Sequence, residues 1–85
     1  MPKSVFSGGY SALTVALVEA RKGAGVTQVE LADRLGKPQS FVSKFERGER
    51  RLDLVEVLVI ARAIGADELA LVRRVADALP DDAAI

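Results

Sequence analysis

Eighty-five residues, twelve of them basic and twelve acidic, make one small and formally neutral domain with room for a single core. Cysteine and histidine are both absent, which excludes disulfides, thiolate chemistry, the commonest zinc ligands and a histidine general base. No stretch reaches the ~20 apolar residues of a membrane span, and the short apolar run 12–18 flows into Glu19, Arg21 and Lys22 rather than into a secretory cleavage site.

Residues 1–9 carry no periodicity, and Ser7-Gly8-Gly9 reads as the end of a flexible arm. Tyr10, Leu13, Leu17, Ala20 and Ala24 then recur at three- and four-residue steps, which predicts a first helix ending near Gly23–Gly25. Thr27 and Glu30 form a capping box, with Val26 and Leu31 as the accompanying hydrophobic staple. A short second helix, 28–35, follows and stops at Gly36, the residue that enters positive φ at little cost. Pro38 suits the opening of a third helix, about 38–47, because its missing N–H is no loss there. Gly48 ends that helix. Leu31, Leu35, Val42 and Phe45 fall on inward positions, and Ala32 lets the two helices approach closely. Two short helices joined by a tight glycine turn form a helix-turn-helix unit.

Glu49-Arg50-Arg51 forms a short basic loop after that unit. Asp53 and Glu56 make a second capping box, with Leu52 and Val57 as a candidate staple. The fourth helix runs to about Ile64 with Gly65 as its cap, and Leu54, Val57, Leu58, Ala61 and Ile64 are expected to face the core. Asp67 caps a fifth helix that ends before Pro80, and 80–85 is expected to fray. The predicted fold is all-α, five helices packed as a single domain over 10–79.

On the third helix the outward residues are Gln39, Ser40, Ser43, Lys44 and Arg47. Glutamine pairs bidentately with adenine, and lysine reaches guanine acceptors or a phosphate. Charge is distributed to match. Residues 20–51 hold eight basic side chains against four acidic, net +4, whereas 52–85 hold three against seven, net −4. A duplex would meet that field basic half first.

The stretch T-Q-x-E-L-A-x-x-L-G-x-P-Q-S-x-V-S-K-x-E-x-G-E-R-R-L-D, residues 27–53, resembles the lambda-repressor-like family, the phage repressor/Cro class also called the XRE family. The likeness extends loosely over 10–79, and Lys37 stands where the family often carries an apolar residue. The resemblance implies that Gln28 binds a phosphate and braces Gln39. It implies base reading by Gln39, Ser40, Ser43 and Lys44 from a recognition helix at about 38–47. Arg47 matches a position that meets the DNA backbone, as the basic loop residues Arg50 and Arg51 are expected to do. Arg21 and Glu46 match an ion pair that ties the first helix to the recognition helix.

Apolar residues in the last third exceed what one core hides. Val55 and Val59 lie off the predicted core face of the fourth helix, and Leu69, Leu71, Val72, Val75 and Leu79 make the fifth apolar on more than one side. Family members resemble dimers on two-fold operators, so Val55, Val59, Leu71 and Val75 are the candidate dimer interface. The expectation is a cytoplasmic, dimeric, sequence-specific regulator of transcription, a repressor that reads an inverted repeat in double-stranded DNA through the major groove. It needs no cofactor, no metal and no membrane. An antitoxin-type or other protein-interaction module on the same fold is the alternative, supported by the same apolar excess. An enzyme is disfavoured, because Ser40 and Ser43 have no histidine to activate them.

Overall fold

The computed structural model describes the backbone of residues 8–83 and the side chains of 11–83. Five helices follow in order, α1 Gly8–Gly23, α2 Gln28–Leu35, α3 Gln39–Glu46, α4 Leu54–Ile64 and α5 Glu68–Ala78, and no strand occurs among the described residues. The longest, α1, packs along α5, while α2 lies against both α3 and α4. Leu17, Leu31, Val42, Phe45 and Ile60 are the largest fully buried side chains, so all helices but α5 supply the centre of the core. Leu71 of α5 closes it from the side.

Local chemistry sets where these helices begin. Thr27 Oγ1 accepts from the Glu30 N–H at 3.0 Å while Glu30 Oε1 accepts from the Thr27 N–H at 2.8 Å, so two orphan donors of α2 are satisfied reciprocally. Asp53 and Glu56 do the same for α4 at 2.7 and 2.9 Å. Asp67 caps α5 through the N–H groups of Leu69 and Ala70. Val26 and Leu31, the staple of α2, are both buried in the one core cluster. The tight turn after α2 has Gly36 at φ +67°, and the Lys37 N–H returns to the Ala32 carbonyl at 3.0 Å. A side chain at position 36 would be strained in that conformation.

Several boundaries and faces differ from the sequence reading. Residues 1–7 of the expected arm and 84–85 of the expected tail lie outside the described residues. Gly8 and Gly9 belong to α1; once Ala16 and Leu17 anchor the helix in the core, each further residue gains a backbone bond for little added entropy. At the other end, Pro80–Ala83 forms a turn closed by the Ala83 N–H on the Pro80 carbonyl at 3.1 Å. Pro38 is the N-cap of α3 rather than its first helical residue, with extended ψ of 156° and no side-chain cap. Ala24 is exposed in the turn, because the chain reverses at Gly25 and Val26 fills the core instead.

The core face of α4 is turned from the one expected. Val57, Ile60, Ala61 and Ile64 are buried, an i, i+3, i+4, i+7 stripe, whereas Leu58 is half-buried and Leu54 is 64% exposed. Leu54 opens the helix beyond the edge of the core, so hydrophobicity alone does not bury it.

Candidate nucleic-acid interface

The two halves of α3 have opposite fates. Val42 and Phe45 are buried, and Phe45 meets Phe41 edge to face with ring centroids 5.6 Å apart. Gln39, Ser40 and Lys44 are exposed and Ser43 is half-buried on the remaining side. A rigid helix therefore presents amide, hydroxyl and ammonium groups from one fixed surface.

Behind that surface runs a hydrogen-bonded chain of side chains. Arg21 of α1 donates from Nε and Nη2 to both oxygens of Glu46 at 2.6 and 3.0 Å, and its Nη1 donates to the Val26 carbonyl at 2.8 Å. The pair is shielded, with side chains 9% and 7% exposed. Gln28 Nε2 donates to Glu46 Oε1 at 2.8 Å, and Gln28 Oε1 accepts from Gln39 Nε2 at 3.0 Å. Arg21, Glu46, Gln28 and Gln39 thus form one network that joins α1, both ends of α3 and the start of α2. Since no buried side-chain polar atom among the described residues lacks a partner, the network carries no unsatisfied cost.

Arg47, Arg50 and Lys37 have partners of their own. Arg47 donates to Glu49 from Nε and Nη2 at 2.9 and 3.1 Å, and to Ser43 Oγ from Nη1 at 3.2 Å. The hydrogen bond and charge of Glu49 raise the Arg47 pKa, while Arg47 holds the Glu49 carboxyl below its usual range. Arg50 pairs with Glu56 at 3.0 and 3.1 Å and lies over the Phe41 ring at 4.8 Å. Lys37 lies over the same ring at 5.5 Å. Arg51 is exposed in the loop that follows. The partners Glu49 and Glu56, and the stacking on Phe41, were not among the sequence-derived site residues. Their signal is faint: a two-residue or six-residue spacing of opposite charges in a loop implies no contact until the loop is folded.

The four candidate dimer residues do not form one patch. Leu71 is 6% exposed and belongs to the core, which corrects its assignment to an interface. It is buried because α5 lies along α1 and turns Leu71 inward, with Ala16 and Ala20 lining one flank beside it. Val55 and Val59 flank Phe41, Leu35 and Lys37 on one side of α4. Val75 lies on the other side, in an apolar groove of ≈ 330 Å³ with Leu13, Leu54, Val72 and Leu79. Successive helical residues point about 100° apart, so Leu54 and Val55 necessarily serve different surfaces. No described helix is long and apolar enough to cross a membrane.

Comparison with known proteins agrees with this geometry. A helix-turn-helix family model, HTH_3, matches residues 17–71. No curated protein matches the chain. Among solved structures, an XRE-family like protein from Pseudomonas syringae pv. tomato str. DC3000 is similar at 53% sequence identity and a TM-score of 0.78, covering 85% of this chain and 88% of its own. With α2, the Gly36 turn and α3 inside the matched span, the chain belongs to the XRE family of lambda-repressor-like helix-turn-helix DNA-binding regulators.

Proposed function

We propose that the protein is a dimeric repressor that occludes promoter DNA in the cytoplasm by reading an inverted repeat. The observation that carries this reading is the exposed set Gln39, Ser40 and Lys44, with Ser43 beside it, on a helix whose opposite side is locked into the core. Inserted in the major groove, these four residues read base edges. Gln28, Arg50 and Arg51 hold phosphates and set the register on the duplex, and Arg47 can add a phosphate contact where its pairing with Glu49 opens. Exposed Val72 and half-buried Val75 supply apolar surface for a second copy, while Val55 and Val59 lie on the other side of α4. Selection of bound duplexes from a random pool tests the reading. An inverted repeat is the expected product, and a pool with no enriched sequence refutes it.

A second reading is favoured by one observation. The groove lined by Leu13, Leu54, Val72, Val75 and Leu79 is open and apolar, suited to the nonpolar face of a helix from another protein. An antitoxin-type module would use it for a toxin. Enrichment of a single half-site by a monomer would favour that alternative.

A further inference from the structure

The end of α3 is a closed turn that fixes the position of Glu49. Its N–H donates to the Lys44 carbonyl at 2.8 Å, across Gly48 at φ +77°. From that anchored backbone the carboxylate accepts from two nitrogens of Arg47, at 2.9 and 3.1 Å, and the third nitrogen of Arg47 donates to Ser43 Oγ at 3.2 Å. The clamp thus engages every guanidinium nitrogen of a cation on the DNA-reading side. Both partners are more than half exposed, so a phosphate can compete for the same guanidinium edge, which suits carboxylate and phosphate alike.

Two consequences follow from donor and acceptor chemistry. An arginine free to take a phosphate adds affinity for any sequence, whereas one held by a carboxylate adds little. A hydroxyl has one hydrogen and two lone pairs. With Arg47 donating to one lone pair, the Ser43 hydrogen points away from the cation and is left to donate to a base acceptor.

We propose that Glu49 is a specificity-determining positioning residue that acts through Arg47, withholding the guanidinium from phosphates on random DNA and presenting Ser43 as a donor at the reading face. This rests on α3 being the base-reading helix. Arg47 becomes a phosphate contact only where the clamp opens. On the selected site the clamp stays closed and Ser43 reads its base. On random duplex the carboxylate still holds the guanidinium, so Arg47 adds no phosphate contact there.

The test compares wild type with Glu49→Ala, Glu49→Gln, Arg47→Ala and the Arg47→Ala/Glu49→Ala double variant, on random duplex and on the selected site, across salt. Both Glu49 variants should bind random duplex more tightly, with a salt slope steeper by about 0.9. That is about a threefold greater loss of affinity between 50 and 200 mM salt. Preference at the base facing Ser43 should relax, and the double variant should bind random duplex no better than Arg47→Ala. An unchanged slope in both Glu49 variants overturns the proposal. So does an equal gain with and without Arg47, because the carboxylate would then act through its own charge alone. The random-duplex arm needs no cognate site: wild type that binds no DNA refutes the functional reading itself, whereas DNA binding with an unchanged slope refutes only the clamp.

Discussion

Gln28 donates its amide nitrogen to Glu46 at 2.8 Å. A carboxylate paired with Arg21 can only accept, so this bond fixes which way the Gln28 amide faces. Its oxygen is thereby aimed at Gln39, which must donate to it and does so at 3.0 Å. Gln39 keeps its own oxygen and one N–H, the acceptor and donor that adenine requires. Replacing Gln39 with Ala is expected to cost about 1–3 kcal/mol on the selected site and to relax preference at one base position. Lys44→Ala should do the same at another. Binding titrations on matched and mismatched duplexes measure both, and equal losses on cognate and random DNA would reassign these residues to phosphate contact.

Arg21 and Glu46 form the most shielded charge pair among the described residues. Removing one partner leaves the other with its desolvation cost and no compensation, the expensive case, about 3 kcal/mol or more. Arg21→Ala and Glu46→Ala should each lower stability by that order, and the double variant should lose less than the two singles together. Urea unfolding of the four proteins reads the coupling. Strict additivity would mean that the pair contributes nothing as a pair.

Glu56 makes stability depend on acid. The hydrogen bond from Arg50, followed by the Asp53 N–H, lowers its pKa below the ordinary 4.5. A carboxyl whose folded pKa is depressed adds stability above its unfolded pKa, and that share is lost as pH falls through the folded value. Thermal melts from about pH 7 to about pH 3 should therefore show a shallower acid decline in Glu56→Gln than in wild type. Arg50→Ala should flatten the same window. Parallel curves for wild type and both variants would contradict the assignment.

Dimerisation is expected to use one of the two apolar surfaces that flank α4. Leu54, Val72 and Leu79 are exposed around the groove on one side, while Val55 and Val59 are exposed on the other. The groove joins α1, α4 and α5 and offers the broader surface. A charge buried there, Val72→Asp, should raise the dimer dissociation constant by about tenfold or more, equivalent to ~1.4 kcal/mol. Val59→Asp should leave it near wild type. Sedimentation with circular dichroism distinguishes loss of the dimer from loss of the fold. A wild type that stays monomeric on its own operator would end the dimer proposal.

The sequence by itself determines the helices and the turn between the second and third. Capping boxes, glycine stops and three-to-four periodicity are local, and local chemistry acts whether or not the rest of the chain has folded. The same holds for the outward set Gln39, Ser40, Ser43 and Lys44, since spacing on one helix decides which residues share a side. Charge segregation is likewise a property of composition along the chain. Tertiary structure decided the core face of α4, the burial of Leu71 and the partners of the loop arginines. Ile60 replaces Leu54 and Leu58 in the core because α4 is rotated by its packing on α2. Leu71 turns inward against α1, and the remaining apolar residues separate onto two surfaces. Arg47 and Arg50 meet Glu49 and Glu56 only after the loop between α3 and α4 closes. Periodicity specifies a face to within about one residue, or 100°, and the docking of neighbouring helices removes that last ambiguity.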